Sequence, residues 1–261
     1  MTAQPTVSVA ADRRSTVVLL HSLGTDSRLW RHQVAHLEHN HHVVAPDSNG
    51  HGRTPLTGTV TVGGWVDDLH RLVSTCGPVH LVGLSMGGIQ ALAYAATHPG
   101  NVSSVIAANT FARLPREAAA DRVQSASTAI EATGMAAYAT RYLEETLTRR
   151  VDDADYTNLV SAIGSMSAAA YLASAKATFF ADVTADLAAI TSPTLVVIGD
   201  SDLKVPMERT QTILDNVAGS TLASIPAAGH LSCVENPSSF NDVVTEFIAR
   251  VDDTSREPVG R

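Results

Sequence analysis

Ser85 sits in the run Val79-His80-Leu81-Val82-Gly83-Leu84-Ser85-Met86-Gly87-Gly88. An apolar stretch enters Gly-x-Ser-x-Gly, and a helical pattern, Ile89 to Ala96, leaves it. A strand, a sharp turn and a helix would hold the hydroxyl at the end of a sheet, above a helix N-terminus. Gly83 and Gly87 suit such a turn, because side chains there would meet the neighbouring backbone. The first N–H groups of the helix could receive a developing negative charge. The plainer alternative is a serine in an ordinary glycine-rich turn between strand and helix. A serine hydroxyl is a weak nucleophile and needs a base, which itself needs an orienting group. Candidates follow two later apolar runs: Asp200 and Asp202 after Pro193–Gly199, and His230 after Thr221–Ile225.

The elements that must position these residues are legible from periodicity. Val17–Leu20, Val43–Ala45, Val79–Val82 and Val102–Ala108 read as short buried strands. Arg28–Leu37, the segment after Ser85, and Val62–Val73 read as helices between them. This alternation implies a mainly parallel sheet with helices on both faces. From Leu114 to Phe180 the rhythm changes to an alanine-rich helical stretch, with breaks at Gly134, Gly164 and Thr148–Asp155. Residues 1–113 and 181–261 therefore read as an α/β core, and 114–180 as a helical cap over the site. Helical rhythm continues through Asp182–Ile190, and Ser239–Val251 reads as the last helix. Asp252–Arg261 reads as a polar, fraying end. Thr6–Val9 is the one stretch before Val17 that could add an edge strand, so a trimmed sheet is expected.

The 261 residues suffice for one large α/β domain. A net charge of −8 argues against nucleic acid and anionic membranes as partners. It also offers no bulk attraction to a strongly anionic substrate. The two cysteines, Cys76 and Cys233, suggest no disulfide framework and a reducing compartment. With no long apolar segment near Met1–Arg14, a cytoplasmic location is expected.

Taken together, His21-Ser22-Leu23-Gly24, Asp47-Ser48-Asn49-Gly50-His51-Gly52-Arg53-Thr54, the Gly83–Gly88 turn, Gly199-Asp200-Ser201-Asp202 and Gly229-His230 resemble the α/β-hydrolase superfamily. The resemblance implies the α/β-hydrolase fold, a mostly parallel sheet with a helical cap insertion. It implies the order nucleophile, acid, base. Ser85 then attacks, His230 is the base, and Asp202, three residues beyond Gly199, is the acid, with Asp200 the rival. Backbone N–H groups of Leu23 and Met86 match the oxyanion hole. The His-Ser-Leu-Gly opening departs from the usual His-Gly-x-Gly. A serine where some relatives carry an aspartate disfavours dehalogenase and epoxide-hydrolase chemistry.

A finer likeness, in His21–Trp30, Gly83–Gly88 and Ala108-Asn109-Thr110, is to 3-oxoadipate enol-lactonases. It implies a serine hydrolase of a small-molecule ester or lactone, working without metal or cofactor. Perhydrolase or haloperoxidase-like chemistry, carbon–carbon bond hydrolysis, and a ligand-binding receptor on the same fold are alternatives. A dicarboxylate product would ask for basic groups near the pocket, and Arg28, Arg53, Arg113, Arg116, Arg122 and Arg141 are available. The alanine-rich cap nonetheless suggests an apolar ceiling.

Other features read as structural. His32 and His36, at i, i+4, could suit a metal, but the cluster His32, His36, His39, His41, His42 reads as a solvated helix end. His51 and Cys233 read as structural, and Trp30 and Trp65 as core.

Overall fold

The computed structural model describes residues 14–256; the Thr6–Val9 segment lies outside them. Six strands form one parallel sheet. They are β1 (Thr16–Leu20), β2 (His42–Val44), β3 (Val79–Leu84), β4 (Val102–Ala108), β5 (Thr194–Gly199) and β6 (Thr221–Ile225), in spatial order β2-β1-β3-β4-β5-β6. The helices are α1 (Arg31–Leu37), α2 (Val62–Val73), α3 (Met86–Thr97), α4 (Arg116–Thr146), α5 (Asp153–Ser165), α6 (Ala168–Phe179), α7 (Met207–Asn216), α8 (Ser232–Glu235) and α9 (Pro237–Arg256).

Strand side chains alternate between two apolar layers. Val17 and Leu19 face one layer with Trp30, Phe240 and Ile248, from the α1 entry and α9. Val18 and Leu20 face the other, with Val66, Leu69, Ile89, Leu92 and Ile213 from α2, α3 and α7. The core-facing residues of α2, Trp65, Val66, Leu69 and Val73, recur at helical spacing. Its start is capped by Thr61, whose hydroxyl accepts the Gly64 N–H. Strand β3 is buried along its whole length, which explains why it reads as a continuous apolar run.

Several expectations need correction. Arg28–Leu37 is a short 3-10 turn, Ser27–Trp30, followed by α1. Asp182–Ile190 contains only a 3-10 segment, Thr184–Ala189. The C-terminal helix continues past Val251, because Asp252 is tied down. Its carboxylate meets His80 Nε2 at 3.1 Å, and accepts the Ser15 hydroxyl at 3.1 Å.

The helical insertion lies between β4 and β5, where the sheet rhythm breaks. Arg113 and Asp182 form an antiparallel bridge where it leaves and rejoins the sheet. Helix α4 is broken at Gly134, whose φ of 76° is a left-handed conformation that glycine adopts without strain. Among the described residues, no helix is long and apolar enough to cross a membrane. The two cysteines are free, Cys76 exposed and Cys233 buried.

Candidate active site

The strand order reverses between β1 and β3, the place where parallel sheets collect ligands at their strand C-termini. Ser85 follows β3 there. It has φ 55° and ψ −111°, a conformation rare for a residue with a side chain. Its N–H donates to the Ala108 carbonyl (2.8 Å), and its carbonyl accepts the Thr110 hydroxyl (2.7 Å). A Cβ on Gly83 would overlap the Gly87 carbonyl, and one on Gly87 the Leu20 carbonyl. The turn therefore depends on both glycines.

His230 and Asp202 reach the same point from β6 and β5. The Ser85 Oγ lies 3.0 Å from His230 Nε2, and His230 Nδ1 lies 3.0 Å from Asp202 Oδ2. With Nδ1–H donating to the carboxylate, Nε2 is free to accept the serine proton. All three residues are buried. Burial alone would raise the Asp202 pKa. Hydrogen bonds from His230, Asn109 and the Val205 amide, with the His230 charge, outweigh it and hold the group below the usual carboxylate range. Asp200 instead accepts the Ala227 and Ala228 N–H groups and the Ser201 hydroxyl, bracing the loop before His230. The structure brings Ser85, His230 and Asp202 together and leaves Asp200 outside.

Met86 opens α3, so its N–H has no carbonyl one turn earlier to bond. The Leu23 N–H, in the loop after β1, donates to no group among the described residues. That loop is held by two neutral histidines. His51 Nε2 accepts the Gly24 N–H at 3.2 Å, and His21 Nε2 accepts the Ser48 N–H at 3.0 Å. Burial, with the neighbouring His21, pushes the His51 pKa down to about 3. Burial also lowers that of His21.

Three supporting residues carry no role in the sequence reading. Asn109, buried after β4 with φ 48°, donates to Asp202 Oδ2 (2.9 Å) and to the Gly229 carbonyl (3.1 Å). Its position at a strand end, among residues tolerant of left-handed backbone, was the available signal. Glu235 accepts the Leu231 N–H and both the N–H and hydroxyl of Thr148, clamping the His230 loop to the link between α4 and α5 of the insertion. Lys204, after β5, lines the cavity.

That cavity, about 270 Å3, holds Leu23, Ser85 and His230. Its ceiling comes from the insertion, with Ala126, Ala129, Tyr138, Tyr142, Tyr171 and Phe179. The Tyr138 and Tyr171 hydroxyls share a hydrogen bond of 2.8 Å. The ceiling is less apolar than its alanines suggest, since Arg122, Lys204 and Arg141 also reach the cavity. Arg28 and Arg53 pair with Asp26 and Asp47, and Arg116 stacks over Phe180.

The histidine cluster does not converge. His39 is exposed, and His36 meets Thr245. His32, contrary to a solvated helix end, lies 2.8 Å from Asp155 across the α1–α5 junction. Asp152 joins it there, a carboxylate pair distant in sequence, but Arg31 forms ion pairs with both. Trp30 and Trp65 are core residues, as expected.

A sequence model of the alpha/beta hydrolase family matches residues 17–243. The chain belongs to that family. This alpha/beta hydrolase is 28% identical over 244 residues to 3-oxoadipate enol-lactonase 1 of Acinetobacter baylyi, covering 90% of this chain and 89% of the relative. It is 30% identical over 259 residues to a putative carbamate hydrolase, RutD, of Variovorax paradoxus, covering 90% and 92%. Among solved structures, the enol-lactonase of Burkholderia xenovorans superposes with a TM-score of 0.80 at 27% identity, over 90% of this chain and 92% of that one.

Proposed function

We propose that this alpha/beta hydrolase cleaves a small carboxylic ester or lactone through an acyl-enzyme. The observation that carries the reading is the continuous chain from Ser85 Oγ through His230 to Asp202, at 3.0 Å per step, facing a cavity lined in part by the insertion. Ser85 attacks the carbonyl carbon while His230 Nε2 takes its proton. Asp202 orients the ring and stabilises the imidazolium. The Leu23 and Met86 N–H groups receive the oxyanion. His230 then protonates the leaving oxygen, which for a lactone stays tethered to the acyl group. Water, deprotonated by His230, attacks the acyl-enzyme and releases the acid. Residues 114–180 act as the cap that shapes the substrate. Relatives named for enol-lactone hydrolysis support the choice of bond.

The test is turnover of 4-nitrophenyl butyrate by the wild-type protein and by Ser85→Ala, which keeps the Cβ and hence the turn. The expected loss is on the order of a millionfold, its size when a protease nucleophile is removed. Activity within a few-fold of wild type would remove Ser85 as the nucleophile.

A further inference from the structure

Arg113, Arg116, Arg122, Arg149 and Arg209 have no carboxylate ion pair among the described residues, and of these Arg122 alone lines the cavity. Arg28, Arg31, Arg141, Arg150 and Arg250 each pair with a carboxylate. Arg122 pairs with none among the described residues. Its Nη2 donates to the Lys204 backbone carbonyl at 2.6 Å, and its guanidinium lies over the Phe179 ring, 5.4 Å from the centroid. These two contacts fix a planar group with five N–H donors, most of them uncommitted. It lines the cavity that holds Ser85 and His230. A half-buried cation without a direct ion-pair partner is less favourable than one a carboxylate touches. Burial accordingly lowers its pKa.

Lys204 adds to the same field. Its Nζ is 3.9 Å from Glu145, a carboxylate that Arg141 already holds at 2.8 Å. The cavity lining carries three cations, Arg122, Arg141 and Lys204, against two anions, Asp121 and Glu145. The lining residues thus carry one positive charge in excess, with the Asp202 carboxylate also acting on Arg122 and Lys204, inside a chain whose net charge is −8. The excess is a property of the pocket and not of the surface.

We infer that Arg122, backed by Lys204, is a carboxylate anchor, so that the preferred substrates are esters or lactones carrying a free carboxylate. This rests on the ester-hydrolase reading and names its substrate class. A carboxylate seated on the guanidinium fork takes two parallel N–H bonds and neutralises the surplus charge. Anchoring one end of a small substrate also fixes the approach of its carbonyl to Ser85.

The experiment compares kcat/KM for mono-4-nitrophenyl glutarate and for 4-nitrophenyl pentanoate, in wild type, Arg122→Gln and Arg122→Lys. Isothermal titration with glutarate is run on the same proteins. Wild type is expected to favour the glutarate ester. Arg122→Gln should lower the glutarate-to-pentanoate ratio by about 10- to 100-fold, the size of a lost charge-assisted pair. Arg122→Lys should keep part of it. Each ratio is taken within one sample, so a partly unfolded variant does not distort it. A ratio that Arg122→Gln leaves unchanged would overturn the anchor while the turnover itself upholds the ester-hydrolase reading. Glutarate binding that depends on Arg122, in a protein that turns over neither ester, would uphold the anchor and overturn that reading. Neither binding nor turnover would overturn both.

Discussion

Asp200 and Asp202 leave the same strand two residues apart and have opposite surroundings. Asp202 is buried, and its carboxylate accepts from His230, Asn109, Lys204 N–H and Val205 N–H. Asp200 is exposed and braces backbone N–H groups. In the proposed mechanism Asp202→Asn presents the wrong hydrogen-bonding atoms to His230 and should lower kcat by about ten-thousandfold, as in the serine-protease triad. Asp200→Asn keeps one acceptor oxygen and should cost less than about tenfold. Ester kinetics on the two variants check this, and the opposite ranking would move the acid to Asp200. The Ser85, Asp202 and His230 set was legible because each follows a recognisable strand in a fixed chain order. Asn109 carries no such signal, since its bond to Asp202 spans 93 residues that periodicity does not connect. Lys204 is silent in the sequence for a similar reason, as it meets the insertion only once the chain is folded.

At the scale of elements, Val62–Val73 and Val102–Ala108, with strong apolar patterns, match their observed limits, and so does the mostly exposed strand Thr221–Ile225. Helix α7 leaves no core pattern in the sequence, because Thr210 and Ile213 are its only buried residues. Within Leu114–Phe180 the break at Thr148–Asp155 falls at the division of α4 from α5, Gly134 at the kink in α4 and Gly164 one residue before the end of α5, while Asp152 and Ser167 cap the new helices by accepting the Asp155 and Ala170 N–H groups. The end of α9 depends on the contact of Asp252 with His80 and Ser15, over 172 and 237 residues. Such long-range pairs leave no local signature. The same holds for the charge inside the pocket: alanines in α4 suggest an apolar ceiling, while the placing of Arg122 depends on its contact with Lys204, in the loop after β5 and 82 residues away.

Across the whole molecule, three histidines are buried at sites that favour the neutral form. His51 is pushed down to about 3 by burial and by His21, and burial lowers His21 and His80. In the unfolded chain each would titrate near 6.5. Between 6.5 and the folded value the unfolded chain binds protons that the folded chain does not. Stability is therefore full above about pH 6.5 and falls as pH drops. His51 alone contributes a slope of about 1.4 kcal/mol per pH unit over that window. Urea unfolding at pH 7.5, 6 and 5 should show stability falling steadily below 6.5, and equal midpoints at all three would contradict these buried neutral states. That Ser85 becomes covalently acylated is tested most directly by intact-protein mass spectrometry with peptide mapping after treatment with diethyl 4-nitrophenyl phosphate. The expected result is one diethylphosphoryl group per chain, on Ser85, with ester turnover lost in proportion and no label on Ser85→Ala; inhibition with the label on another residue, or full ester turnover by a chain labelled at Ser85, would contradict it.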